Sequence, residues 1–210
     1  MSEPSSQKFA RKPYIYSAVV VFVVGISLLA AFLLGVFDKR GHIEADDICR
    51  NVPNQSEAAK VFNSVLPKES EYHFVETSRS DAYWGFRSGC RVKGTSGTTL
   101  LSLDVEPSPA APWQQWVKSH VPPNDGGKLS SFNAGLKGVA NTQVAAIWVP
   151  CYAHESTSKA RYNMTVLADA LKPLEVSGGD ARQALIDLAT SFARQAHKDA
   201  KCDLPSQLPD

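Results

Sequence analysis

The sequence predicts an α+β protein in which one N-terminal transmembrane helix precedes a domain with a mainly antiparallel sheet covered by helices. Three observations lead to this prediction. Residues 14–37 are apolar and carry no charge, and all four cysteines lie after them. The rest of the chain combines short runs typical of strands with amphipathic helical segments.

Residues 14–37 are long enough to cross a bilayer as a helix. At about 1.5 Å per residue they reach roughly 36 Å, and a hydrocarbon core is about 30 Å thick. Tyr14 and Tyr16 lie where an interfacial aromatic belt is expected. A cleaved signal peptide is disfavoured because the apolar run continues to Phe37, and a lipoprotein signal because the first cysteine is Cys49.

The flanking charges predict the orientation of this helix. Three basic residues precede it, Lys8, Arg11 and Lys12, and two follow closely, Lys39 and Arg40. Basic residues favour the cytoplasmic side. We therefore expect a cell-membrane protein with a cytoplasmic tail (residues 1–13), a transmembrane helix (14–37), a stalk (38–46), an extracytoplasmic domain (47–203) and a short tail (204–210).

The transmembrane helix also carries a ridge of small residues. Ser27, Ala31 and Gly35 recur every four positions. Such a ridge lets two helices approach closely. It is a candidate helix-association face, through which the chain would form a homodimer in the bilayer.

The four cysteines, Cys49, Cys90, Cys151 and Cys202, are expected to form two disulfides. An even number of cysteines in an exported domain is typical of a disulfide framework. Three pairings exist for four cysteines, and Cys49–Cys90 with Cys151–Cys202 is favoured because each bridge would tie a helix end to a nearby strand. Zinc is the disfavoured alternative, since no paired Cys or His spacing of the usual kind occurs.

The first part of the domain predicts one helix and three strands. Asn54 and Glu57 form a candidate capping box for a helix that Pro67 ends. Strands are expected over residues 71–77, 82–92 and 98–105. Gly85 and Gly89 indicate a bend or bulge in the second of them.

The third predicted strand indicates that one face of the sheet is wet. Its apolar and polar residues alternate, with Leu101, Leu103 and Val105 separated by Ser102 and Asp104. Such alternation is typical of an antiparallel sheet with one face on the core and the other in water.

The later part of the domain predicts a short helix, two strands and a long helix. Pro112 suits the first turn of a helix over Trp113–His120. Strands are expected over residues 143–152 and 161–167. The last helix is expected to begin at an Asp180 cap, with Gln183 completing a capping box, and to cover the sheet with its alanine-rich face.

Trp113 and Trp116 share one face of the short helix. Aromatic residues at this spacing are typical of a core stripe. If the two rings are exposed instead, they are candidate binding anchors, because tryptophan is enriched at interface hot spots.

The charge balance argues against a nucleic-acid partner. The chain has 22 basic and 21 acidic residues, and residues 38–210 carry a formal net charge of −1. A nucleic-acid-binding domain usually presents a basic face. A mixed, nearly neutral surface is typical of domains that bind other kinds of partner.

Two segments resemble families of actinobacterial exported lipoproteins and membrane-anchored domains of unknown function. They are DDICRNVPNQSEAAKVF, which holds Cys49, and SGCRVKGTSGTTLLSLDVEPSP, which holds Cys90. A late alanine-rich helix completes the likeness. The resemblance implies an α/β sandwich with a mainly antiparallel sheet, similar to the PsbP/LpqN-like domains. It implies no catalytic residue.

No stretch of the chain carries a catalytic or cofactor motif. The five histidines are scattered, and no nucleophile elbow, phosphate-binding loop or dinucleotide fingerprint occurs. We therefore expect no cofactor, no metal and no catalysis. The first hypothesis is a membrane-anchored binding domain that recognises an envelope protein, lipid or glycan.

Two alternatives remain open. One is an accessory subunit of a membrane complex that associates through the transmembrane helix. The other is an envelope hydrolase whose site is assembled from dispersed residues such as Asp104, His154 and Glu155, since catalytic groups need not be adjacent in sequence.

Overall fold

One seven-stranded sheet forms the centre of the computed structural model, which describes residues 40–81, 85–108, 112–121, 126–151 and 162–209. The strands are β1 (Tyr72–Asp81), β2 (Gly85–Gly94), β3 (Thr99–Ser108), β4 (Ser130–Phe132), β5 (Lys137–Ala140), β6 (Val144–Cys151) and β7 (Tyr162–Ala170). Their order across the sheet is β1-β2-β3-β7-β6-β5-β4, and every neighbouring pair is antiparallel. The predicted antiparallel sheet is confirmed.

Three α-helices accompany the sheet: α1 (Gln55–Val65), α2 (Trp113–His120) and α3 (Gly178–Asp199). The α+β class is therefore confirmed. Asn54 is the N-cap residue of α1, as predicted, but the predicted capping box is absent, and the predicted Asp180 cap of α3 is wrong. Asn54 adopts a left-handed conformation, with φ of 50°, and its side chain makes no capping hydrogen bond. The third helix begins two residues before Asp180, and its N-cap residue is Ser177.

Strands β4 and β5 were not expected from the sequence. They contain three and four residues, which are too few for a period-two pattern to be recognised in the sequence. Gly138 in β5 lies under the Phe132 ring of β4, and a Cβ atom at this position would lie 2.8 Å from the Phe132 Cζ atom. The glycine that weakens the strand pattern is thus required by the close approach of the ring.

The inner face of the sheet packs against α1 and α3. We define this face by side chains such as Val92, Leu103, Ile147 and Val166, all of which are fully buried. Phe62 of α1 and Phe192 of α3 belong to the same hydrophobic core. At about 25 cal/mol per Å² of apolar surface, burial in this core is the main source of the domain's stability.

The outer face of the sheet is covered only in part. Over β6 and β7, helix α2 closes a second, smaller core with Val144, Ala146, Trp148 and Leu167. Over β2 and β3, the outer-face residues are polar, and those nearest β1 are exposed. The predicted wet face is thus found on one half of the sheet.

The described residues that precede residue 47 belong to the same compact unit as the rest of the domain. Ile43 was assigned to the stalk, but its side chain is 1% exposed. The Asn63 side chain of α1 fixes the Ile43 backbone by donating to its carbonyl and accepting from its N–H. Residues 40–46 are therefore part of the domain.

The last residues also pack on the domain instead of forming a separate tail. The Gly135 N–H donates to the Gln207 carbonyl at 3.0 Å. Arg194 of α3 donates to the Pro209 carbonyl, and Leu208 contacts the main core. Residues 204–209 therefore close over one end of α3.

The predicted transmembrane helix lies outside the described residues, as do the cytoplasmic tail and the start of the stalk. Of the helices that the structure does describe, none combines the length and apolar character needed to span a bilayer.

Candidate functional site

The two disulfides have the favoured pairing, which is confirmed. Cys49 bonds to Cys90 of β2, and Cys151 at the end of β6 bonds to Cys202 beyond α3. Each bridge ties a segment on the helical side of the domain to a strand of the sheet. No free cysteine remains.

Trp113 and Trp116 are buried, with 5% and 8% of their surface exposed. The Trp113 ring stacks on Trp116 at 5.2 Å between centroids and on Trp148 of β6 at 5.9 Å, and His120 extends the stack over Trp116. Their placement supports the core-stripe interpretation. An anchor for a partner would have to be exposed, and these rings are not.

Other predicted functional residues lie outside the described ranges. They are Ser27, Ala31 and Gly35 of the helix-association face, and His154 and Glu155 of the dispersed-site hypothesis. Asp104, the third member of that hypothesis, is described. It lies on the outer face of β3 and lines a groove there.

This outer-face groove lies over β1, β2 and β3 and has a volume of about 230 Å³. Its lining residues are Thr77, Ser78, Arg79, Arg87, Ser88, Arg91, Asp104, Val105 and Glu106. The strand register explains why charged groups meet here. Arg79 pairs with Arg87 across β1 and β2, and Thr77 and Asp104 both pair with Gly89.

Gly89 lets the side chains from both neighbouring strands converge. A Cβ atom at this position would lie 2.7 Å from the Thr77 Oγ1 atom and 2.9 Å from the Asp104 Oδ1 atom. The irregularity in β2 lies between Val92 and Lys93, so Gly89 is not the position of the bend or bulge predicted for this strand. Gly89 pairs in regular register with both neighbouring strands and, because it has no side chain, leaves room above the sheet.

The backbone beneath the groove is held by Asn51. Its Nδ2 atom donates to the Ser88 hydroxyl at 2.8 Å and to the Gly89 carbonyl at 2.9 Å. Asn51 follows Cys49 by two residues, so the disulfide to Cys90 and this amide fasten the same part of β2. The floor of the groove is therefore fixed from the inner face.

The charged groups of the groove are loosely paired. The Arg87 Nη1 atom lies 3.5 Å from the Glu106 Oε1 atom, and the Arg91 Nη2 atom lies 3.9 Å from the Asp104 Oδ1 atom. About half of each arginine side chain is exposed. Ion pairs of this length and exposure contribute little to stability, so a ligand can replace them at small cost.

Burial changes the acidity of two carboxyl groups near the groove. Loss of water raises the pKa of Asp104; a hydrogen bond from Ser102 and the charge of Arg91 lower it, and Glu106 raises it further. Burial also raises the pKa of Asp169 on β7, and the charge of Asp104 adds to this effect. Asp104 and Asp169 thus lie where the outer face changes from covered to open.

Two larger cavities lie elsewhere, but their polar groups already hold the fold together. One, of about 440 Å³, lies beside Cys49, and its Glu76 carboxylate accepts from the Arg50 N–H at 2.7 Å. The other, of about 490 Å³, lies along α3, where Arg182 donates to Ser130 and Ser131. The outer-face groove is the better candidate because its charged groups are exposed and loosely held.

The described residues place no group of three or more histidine, cysteine or acidic side chains for a metal ion. Sequence reasoning found Asp104 but missed the arginines of the groove. A signal existed, since Arg87 and Arg91 share one face of a strand. Only the cross-strand register, which the sequence does not reveal, shows that they meet Glu106 and Asp104.

Comparisons of this chain with family models, with curated proteins and with solved structures found no match. The resemblance to actinobacterial exported domains therefore stays a prediction. The functional inference depends on the groove, the disulfides and the sequence pattern.

Proposed function

We propose that this chain is a single-pass membrane protein whose disulfide-bonded domain lies outside the cytoplasm and binds a hydroxyl-rich group of an envelope glycan in the outer-face groove. One observation carries the proposal. Guanidinium groups of β2 face carboxyl groups of β3 across an uncovered half of the sheet, around Gly89.

This arrangement of donors opposite acceptors suits a sugar because each hydroxyl group both donates and accepts hydrogen bonds. The carboxyl oxygens of Asp104 and Glu106 would accept from sugar hydroxyls, and the guanidinium groups of Arg87 and Arg91 would donate to them. A simple anion would use only the arginines and would meet the two carboxylates at close range. The mixed lining therefore favours a polyhydroxylated ligand.

The disulfides and the sequence pattern support the proposed location. Stable disulfides are typical of oxidising compartments. The uncharged residues 14–37 have the length and flanking charges of a membrane anchor that leaves the domain outside.

The test is titration of the full chain in lipid nanodiscs with a panel of neutral and acidic mono- and oligosaccharides, followed by ligand-observed NMR. We expect saturable binding to at least one sugar. Arg91→Ala should weaken it roughly tenfold or more, because a charge-assisted hydrogen bond contributes about 1.5–3 kcal/mol.

Lys93→Ala is the matched control, because Lys93 follows Arg91 on the same strand and does not line the groove. This variant should bind as the parent chain does. Absence of binding to every sugar in the panel, or equal binding by Arg91→Ala, would overturn the proposal.

A further inference from the structure

The two edges of the sheet differ in length and protection. β4 at one edge has three residues, whereas β1 at the other has ten. An edge strand presents unpaired N–H and C=O groups, and proteins usually protect it with shortness, charged side chains, proline or a bulge. β1 contains no proline, and all ten of its residues pair with β2 in unbroken register.

The side chains of β1 are also accessible. Every residue from Val75 to Arg79 is exposed, so both faces of the strand are open there. Val75 is 38% exposed and is one of few large apolar side chains on the surface of the described residues. A long, regular and exposed edge with an apolar residue at its centre is a template for pairing with another strand.

We propose that β1 pairs with β1 of a second copy of this chain, antiparallel about a two-fold axis at Val75. The two seven-stranded sheets would then become one continuous sheet. This interface is isologous, since the same strand serves both copies. The axis runs through the sheet, so the inner faces of both copies stay on the same side.

The charges on β1 favour this register over one centred on Glu76. With Val75 opposite its own copy, Glu71 faces Arg79 and His73 faces Thr77, because each pair lies at equal distances on either side of Val75. Opposite charges in directly opposed positions stabilise a sheet, and like charges destabilise it. A register centred on Glu76 would place two glutamates opposite each other.

The pairing has a consequence for the outer-face groove. The β2 strands of the two copies would be separated by three strand spacings, or about 14 Å at roughly 4.8 Å per spacing. The two grooves would lie side by side on one surface and bind two groups of one extended ligand. The pairing itself uses the strand edge and does not depend on what the groove binds.

The test is cross-linking of full-length Val75→Cys in lipid nanodiscs under mild oxidation. All four native cysteines are in disulfides, so the new thiol is the only one free to react. We expect a covalent homodimer. The control is Leu171→Cys, which places a thiol at another exposed apolar position, away from β1, and should give little or no dimer.

A second variant removes the apolar centre without a thiol. Val75→Lys opposes two like charges at the axis and should weaken dimerisation roughly tenfold or more, as measured by native mass spectrometry of the same nanodiscs. Leu171→Lys should leave the dimer unchanged. The circular dichroism spectrum and melting temperature of each variant show that it remains folded.

Three results would overturn the proposal. They are a monomer at all concentrations, a dimer equally stable in Val75→Lys, and a Val75→Cys cross-link formed only to a different protein. None of these results bears on the sugar titration, because that titration uses the parent chain and its Arg91 and Lys93 variants and makes no change at Val75. The two proposals can therefore fail separately.

Discussion

The β6–β7 half of the sheet is buried on both faces, whereas the β1–β2 half is buried on one. In β6, every residue except Trp148 is buried, because α3 covers its inner face and α2 its outer face. In β2, buried residues alternate with the exposed Arg87 and Arg91. The two halves therefore belong to one antiparallel sheet but differ in what covers the outer face.

This difference shows how a small helix divides a sheet into a structural half and an accessible half. Over β6, the stacked rings of Trp113, Trp116 and Trp148 exclude water. At the boundary lies Asp169, directly opposite Val144 in the register, and its pKa is raised by burial. Beyond it the outer face is charged and open to solvent.

The largest expected effect comes from the covered half. Trp113→Ala removes the ring that stacks on two others and should lower the free energy of unfolding by roughly 3–5 kcal/mol. Arg91→Ala in the open half should cost less than about 1 kcal/mol. Urea denaturation followed by far-UV circular dichroism measures both, and equal losses would contradict the division into two halves.

The next largest effect on stability is expected from removing either disulfide. The pairs Cys49→Ala/Cys90→Ala and Cys151→Ala/Cys202→Ala should each lose roughly 2–5 kcal/mol of stability. Their sequence separations are 41 and 51 residues, and loop entropy changes only slowly with length. The two variants should therefore lose similar amounts in urea denaturation; a loss confined to one would show that only one half depends on its bridge.

The smallest expected effect is a change in pH dependence at the boundary between the halves. Because the pKa of Asp104 is raised in the folded chain above its ordinary value of 3.8, the folded state binds more protons than the unfolded state between these two values. The free energy of unfolding then falls as the pH rises through this interval. The stabilising contribution is complete below the unfolded pKa and is lost above the folded one.

Asp104→Asn removes this titration and should flatten the fall in stability with rising pH. Asp169→Asn should act in the same direction, since its pKa is also raised. Unfolding free energies measured at a series of pH values from 3.8 upward test both variants. A slope equal to that of the parent chain would show that these carboxyl groups do not titrate in the interval.

Much of the fold could be predicted because the pattern of the longer elements is strong. The boundaries of Trp113–His120 match the prediction, and the disulfide pairing follows from the proximity of helix ends to strands. The start of α1 after Asn54 was predicted correctly, but Asn54 is left-handed and its side chain does not cap, and α3 begins two residues before the predicted Asp180 cap. Composition indicates a cap, but backbone conformation decides whether the side chain reaches the free N–H groups.

The candidate site was predicted less well because it depends on contacts between distant residues. The alternation of Ser102 and Asp104 with leucines gave the wet face of β3, but nothing local pairs Asp104 with Arg91. The sequence pattern also could not predict that α2 covers the outer face. Hydrophobic periodicity shows that a helix is amphipathic, but it does not show which face of a sheet the helix covers.

The two disulfides enclose separate stretches of the chain, so neither bridge crosses from one half to the other. A chain pulled from both ends can therefore lengthen only outside the two closed loops. The two closed loops contain about 92 residues that cannot be extended while the disulfides are intact. This corresponds to roughly 300 Å of contour length at about 3.4 Å per residue. Under tension, the domain would extend mainly through the segment between Cys90 and Cys151, which contains β3, α2 and β6, while β1 and α3 stay within closed loops.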